Sequence, residues 1–421
     1  MFQSYYVQYS RIQQPPVRIS LCPYRYLLSL PSPSNLPFLL IYKQQEVMVL
    51  NFITKYQPGL QRSLVNSQKL VTYKLSSNEN PLGTSKLTRI GLQIGYDKLE
   101  RYPNNVPTKL INSIANIYNL NSKRIILGNG SDEFLNLLCL VCLKPEDEVI
   151  ISEHGFLLYR TQVLAARSIP VIIKDSDNKL NINNIIRAIN SKTKIVFITI
   201  PTNPTGLFLT IRETNQLANL LNTVNIILIL DMAYSEYVGD DRYSIESFTN
   251  AIIIKTLSKI YGLASLRLGW MYGNKKITTL IEKVKSPFNI NRMAGIGGII
   301  ALGDKQQCKL SKSFNGFWLI KVISSLRKAG FVVAKSYTNF VLIKFIKKLP
   351  IQLIETYIST CGLNIRSISE YKLFNSIRIS IGLPDANIML INQLKKMRKQ
   401  RFVLVTHKTD ESLKQFWKTI E

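Results

Sequence analysis

The stretch Asn225-Ile-Ile-Leu-Ile-Leu-Asp231 decides the fold. Its apolar residues are continuous rather than alternating, as expected of a strand covered on both faces. Runs of the same character occur at Arg124–Leu127, Val149–Ser152, Pro170–Ile173, Lys194–Ile200, Ala251–Thr256 and Leu268–Tyr272. Helix-like stretches lie between them, such as Asp132–Leu143 and Arg212–Leu221, the latter with Thr210 placed to cap it. Strand–helix alternation predicts an α/β fold: a large domain with a mostly parallel, seven-stranded sheet covered by helices on both faces. After Ser313 the rhythm changes to helix, strand pair, helix, strand pair, helix, which implies a smaller α+β domain.

The 421 residues are 46% hydrophobic and 19% charged, ample apolar content for large cores. No run of eighteen or more apolar residues occurs, so no transmembrane helix and no membrane partner are expected. The formal charge is +28, from 54 Lys+Arg against 26 Asp+Glu. Those basic residues are scattered rather than clustered, and nucleic-acid binding asks for clustering, so none is expected. Attraction of a phosphorylated small molecule remains compatible with the charge. Two histidines, His154 and His407, leave no room for a His-rich metal site or a histidine-based triad, and no metal is expected. Cys139 and Cys142 form C-x-x-C inside the apolar run Leu137–Leu143, where they read as small core hydrophobes. Sparse, unpatterned cysteine fits a reducing cytoplasm.

Residues 1–47 differ from the rest. They hold Arg11, Arg18, Arg25 and Lys43 against one acid, Glu46, and six prolines and six tyrosines interrupt every apolar stretch. No secretory signal core is present, and an amphipathic transit helix cannot run through so many prolines. The plainer expectation is translation from Met48.

In an open parallel sheet, ligands bind beyond the carboxyl ends of the strands. After the first strand comes Gly128-Asn-Gly-Ser-Asp-Glu133, whose glycines let the backbone approach closely and whose free N–H groups at Ser131 and Asp132 would cradle an anion. The fourth strand is followed by Pro201-Thr-Asn-Pro-Thr-Gly206, the fifth ends in Asp231-Met-Ala-Tyr234, and the sixth in Thr256-Leu-Ser-Lys259. Burial at the end of that strand favours the neutral amine of Lys259, the form that makes a Schiff base. Taken alone, Lys259 reads more readily as a lysine opening a helix into water. Together the pieces match what pyridoxal 5′-phosphate needs: a lysine, a carboxylate at Asp231 for the ring nitrogen, Asn203 and Tyr234 for the ring oxygen, and the Ser131–Asp132 turn for the phosphate. Arg267 can add a charged fork to that phosphate.

At this point the sequence resembles the fold-type-I, class-I/II aminotransferases, and within them the branch whose donors carry a phosphate. The matching stretches are Leu75–Gly83, Arg101-Tyr-Pro103, Gly128–Glu133, Asn203–Gly206, Asp231–Glu236, Thr256–Gly262, Leu266–Trp270, Pro287–Asn291, Thr338–Val341 and Ile377–Gly382, in family order. The resemblance implies catalytic roles for Lys259, Asp231 and Tyr234, with Ser131, Asp132, Ser258 and Arg267 at the cofactor phosphate and Phe156 stacked on its ring. It implies that Tyr102 reaches the phosphate from the other subunit of a homodimer. Arg378 resembles the arginine that clamps an α-carboxylate, Arg366 the basic residue for a distal phosphate, and Asn78 lies in the motif that closes over substrate. An amino donor and a 2-oxo acid are then the small-molecule partners. The division implied is an extension at 1–47, an arm at 48–84 joining the small domain, a large cofactor-binding domain at 85–298, a small domain at 299–398 and a tail at 399–421.

Three positions depart from the family pattern: His154-Gly-Phe156 replaces Pro-Thr-aromatic, Met232 stands where Glu is commoner, and Ser265 replaces Gly. A broad-range aromatic aminotransferase would share every cofactor residue. A phosphothreonine decarboxylase of the same fold would share the phosphate contacts, and a basic nucleic-acid-binding protein would rest on the charge alone.

Overall fold

Alternating apolar runs and amphipathic helices build two large sheets and one two-stranded pair. The computed structural model describes residues 72–406 apart from 96–97, 105–106, 239–250 and 346–350. Those residues belong to one compact unit, Val49–Glu421. The extension at 1–47, most of the arm, Met48, His407 and the tail beyond Thr406 lie outside the described residues.

In chain order the strands are β1 (Tyr73–Lys74), β2 (Ile125–Asn129), β3 (Glu148–Ser152), β4 (Ile169–Ile173), β5 (Thr193–Thr199), β6 (Ile227–Asp231) and β7 (Ala251–Thr256). They continue with β8 (Leu268–Tyr272), β9 (Val332–Val333), β10 (Phe340–Lys344), β11 (Leu363–Asn364), β12 (Arg366–Ser367) and β13 (Ser376–Ser380). Seven of them form one sheet in the order β2-β8-β7-β6-β5-β3-β4. All its pairs are parallel except those that β8 makes with β2 and β7. The expected α/β architecture is therefore what the chain adopts. Along β6 and β7, Leu228, Leu230 and Ile253 pack into one core while Ile229, Ile252 and Ile254 pack into another, so the sheet is buried on both faces. Each such side chain contributes about 1.5–3 kcal/mol by leaving water.

Element ends moved slightly from expectation. β5 stops at Thr199 rather than Ile200, just before Pro201, which has no N–H to donate. β2 runs two residues past Leu127, because Gly128 and Asn129 pair with Gly269 and Leu268. The helix Ile211–Thr223 starts on a capping box: Thr210 Oγ1 accepts from Glu213 N, and Glu213 accepts from Thr210 N at 2.6 Å. Thr210 is exposed, so Thr210→Ala should lower stability by about 1 kcal/mol, read from the denaturant midpoint, with no change in activity.

The helix expected after Ser313 begins earlier, at Lys305, where Asp304 caps it, and runs to Lys328. It packs with the antiparallel sheet β12-β13-β10-β9 around a separate core that includes Trp318, Val322, Val341 and Ile379. β1 adds to β11 in parallel, Tyr73 opposite Leu363, which carries residues 75–80 past β13. The last helix, Pro384–Thr406, continues unbroken past Arg398. Cys139 is buried in the helix Asp132–Cys142, and burial pushes its thiol up to about 12 and that of Cys142 to about 11. Neither is a ready nucleophile.

Candidate active site

The carboxyl ends of the parallel strands converge on one cavity of about 230 Å³. Twelve of the thirteen residues singled out from the sequence line it: Asn78, Ser131, Asp132, Phe156, Asn203, Asp231, Tyr234, Ser258, Lys259, Arg267, Arg366 and Arg378. Tyr102 is the thirteenth. It is 83% exposed and stacks on Phe288, ring centroids 4.8 Å apart, outside this chain's cavity.

Lys259 follows β7 and points its amine at the Ser77 carbonyl, 3.3 Å away, with the Tyr234 ring centroid at 5.6 Å. Asp231 closes β6, buried, and takes hydrogen bonds from Tyr159 Oη at 2.8 Å and from Ala233 N at 3.2 Å. Burial pushes its carboxyl up to about 6, against the pull of those two bonds and of Lys259. A carboxylate held uncomfortably in this way is a ready partner for a cation. Tyr159 in turn stacks on Phe197 at 4.7 Å and meets Thr199 Oγ1 at 2.7 Å, so its hydroxyl is fixed.

At the other end of the cavity, Ser131 and Asp132 open the eleven-residue helix Asp132–Cys142, whose N-terminus carries a partial positive charge. Arg267 bonds Asp132 at 3.1 Å beside it. Gly130 has φ +82°, and a Cβ there would run into the Arg267 guanidinium. A Cβ on Gly269 would lie 2.6 Å from both the Gly130 carbonyl carbon and Ser131 N. Only backbone fits between these strands, which leaves a cradle for an anion. Glu133 steadies it by accepting from Asn129 N at 2.6 Å and Asn289 Nδ2 at 2.9 Å.

Two amides are oriented by their partners. Arg378 donates to Asn203 Oδ1 at 2.6 Å and to the Ser76 carbonyl at 2.7 Å, so the Asn203 amide N–H groups remain to donate. Asn78, left-handed at φ +54°, accepts from Ser380 Oγ at 2.9 Å and donates to Tyr234 Oη at 2.9 Å. Tyr234 therefore keeps its own proton free to donate. Arg366 and Arg378 stand directly opposite each other on β12 and β13, both buried. Such a like-charged pair is unfavourable on its own, and the Glu370 carboxylate, 3.4 Å from Arg366, offsets part of it.

An amine, a buried acid, an anion cradle and two oriented donors around one cavity fit pyridoxal 5′-phosphate group by group. Sequence reading missed Tyr159, Thr199 and Glu370, which lie in none of the quoted motifs, and gave no role to Glu133, Ser76 or Ser77, which do. Each acts through contacts formed only in the folded chain.

The model of the family described as aminotransferase class I and II matches residues 72–391. The chain belongs to that family. A histidinol-phosphate aminotransferase of Rhodopseudomonas palustris (strain BisB5) is 34% identical over 355 residues, which cover 83% of this chain and 96% of that protein. One from Paramagnetospirillum magneticum is 34% identical over 330 residues, 77% of this chain and 91% of that protein. The fold is similar to a Sinorhizobium meliloti histidinol-phosphate aminotransferase solved with pyridoxal 5′-phosphate, at a TM-score of 0.76 and 21% identity, covering 84% of this chain and 97% of that one. The protein is thus an aminotransferase, and its cofactor is pyridoxal 5′-phosphate.

Proposed function

We propose that the enzyme interconverts L-histidinol phosphate and 2-oxoglutarate with imidazole-acetol phosphate and L-glutamate, a step of histidine biosynthesis. One observation carries the choice of substrate: two buried arginines, Arg366 and Arg378, oppose each other at the cavity that also holds Lys259. The names of the relatives at 34% identity support it. Histidinol phosphate bears one strongly anionic group, a phosphate, carried on a CH2–O arm farther from the amine than an amino acid's carboxylate, and 2-oxoglutarate bears two carboxylates. A pair of fork-shaped cations serves both.

When bound, the cofactor supplies an aldehyde for the donor amine and a ring that accepts electrons from the carbon beside it. We assign Lys259 to carry it and to move the proton that leaves the donor's amine-bearing carbon. Asp231 holds the proton on the ring nitrogen, with Tyr159 keeping the carboxylate in place. Asn203 and Tyr234 donate to the ring oxygen, and Phe156 covers one ring face. Ser131, Asp132, Ser258 and Arg267 take the cofactor phosphate. Arg378 takes the α-carboxylate of glutamate, and Arg366 faces the donor's phosphate.

Changing Arg366 to Ala should raise KM for histidinol phosphate roughly ten- to a hundredfold, since a charge-assisted pair contributes about 1.5–3 kcal/mol. Phenylalanine as donor should barely respond. Equal losses for both donors would move the reading to a broad-range aromatic aminotransferase. A panel of donors assayed with 2-oxoglutarate makes the comparison.

Other features support a homodimer in the cytoplasm. Leu87, Ile90 and Ile94 leave an apolar stripe exposed on the helix Lys86–Ile94, and Tyr102 stands exposed, free to reach a second copy. Cys139, Cys142 and Cys361 are free thiols, as a reducing compartment permits. Among the described residues no helix is long and apolar enough to cross a membrane. The division into a cofactor-binding domain at 85–298 and a small domain at 299–398 belongs to the same proposal.

A further inference from the structure

Lys255 and Glu236 form an ion pair at 2.9 Å, their side chains only 6% and 8% exposed. Taking two charges out of water is expensive, and attraction repays it only when their remaining hydrogen-bonding capacity is met. Here it is met closely. Lys255 Nζ donates to Ser235 Oγ at 2.8 Å and sits 4.6 Å from the centre of the Tyr118 ring. Tyr118 Oη donates to Glu236 Oε1 at 3.2 Å and lies 3.2 Å from Tyr261 Oη.

None of these residues lines the cavity. They flank its chemistry instead. Ser235 and Glu236 directly follow Tyr234, Lys255 stands four residues before Lys259 near the end of β7, and Tyr261 comes two residues after it. A buried pair that served stability alone is commonly replaceable by packed apolar side chains without loss, so its value lies in what it holds in place.

We propose that the Lys255–Glu236 pair is a positioning device: it ties the short helix Ser235–Val238 to the strand leading into Lys259, and so fixes the Tyr234 hydroxyl relative to the Lys259 amine. The inference rests on the reading of Tyr234 and Lys259 as residues that meet the cofactor. It concerns their alignment, not the identity of the donor.

The test compares Glu236→Asp, Lys255→Arg, and the double replacement Lys255→Met with Glu236→Leu, all as loaded enzyme. The readouts are kcat, KM, the thermal midpoint of the cofactor-free protein and the pH midpoint of the visible absorption band. The double replacement leaves no charge unpaired, so its thermal midpoint should stay near that of the parent. Its kcat should fall about tenfold, as small misplacements do, with KM for the donor little changed. The pH midpoint of the band should rise by about one unit, because a displaced Tyr234 no longer donates to the charged ring oxygen that it favours. Glu236→Asp, which keeps both charges but shortens one arm, should move the pH midpoint the same way, and Lys255→Arg should behave as the parent. Should the double replacement not fold, Glu236→Asp decides alone. A band that responds to Tyr234→Phe but ignores Glu236→Asp and the double replacement overturns the proposal and leaves the site reading intact. A band that ignores Tyr234→Phe removes both.

Discussion

Lys259→Ala should abolish measurable transamination, a loss on the order of ten-thousandfold, because in the proposed assignment one side chain both anchors the cofactor and moves the proton. Its position explains why no neighbour can substitute. The amine follows β7 at the cavity wall, with the Ser77 carbonyl 3.3 Å away, while the nearby Lys255 is committed to Glu236. Borohydride reduction of the loaded parent should fix the cofactor's mass on the peptide that holds Lys259. Mass on any other peptide, or an active Lys259→Ala protein, would refute the assignment.

Asp231→Asn should separate function from stability. Turnover should fall at least about a hundredfold, the usual scale for removing one preorganised charge or donor from a site. The fold should not suffer. Asp231 is raised to about 6 in the folded chain, above its unfolded value near 3.9, so the folded state binds the extra proton between those two values. Its contribution to the cofactor-free protein is therefore most favourable below about pH 4 and is lost as pH rises through 6. At pH 7 the buried charge costs about 2–3 kcal/mol, since one unit corresponds to 1.36 kcal/mol. Asn keeps an acceptor for Tyr159 without the charge, so the variant should melt higher than the parent at pH 7, and the gain should shrink toward pH 4. Melting curves at both pH values check this; a variant less stable at pH 7 would contradict the desolvation argument.

The large sheet was legible because Ile- and Val-rich runs such as Asn225–Asp231 have no polar face, and only burial on both sides accounts for that. Asp231, Lys259 and the Gly128–Glu133 turn were legible because polar residues at the ends of such runs fall on one rim. Strand ends were less so. Where β2 stops depends on its pairing with Gly269 and Leu268, far along the chain. Tyr159 escaped notice because nothing near it in sequence signals a bond to a residue 72 positions later. The Lys255–Glu236 pair escaped for the same reason: each residue alone is an ordinary charge, and only their shared burial sets them apart.

The arm between β1 and Asn78 touches both working ends of the cavity, through the Ser76 carbonyl on Arg378 and the Ser77 carbonyl on Lys259. These acceptors are main-chain atoms, indifferent to the side chains that carry them. Point substitution at 76 or 77 therefore leaves the contacts in being, whereas adding or deleting one residue before Asn78 breaks both at once. The contacts thus depend on the segment's length rather than on its side chains, and the ruler that sets the length is the pairing of Tyr73 with Leu363.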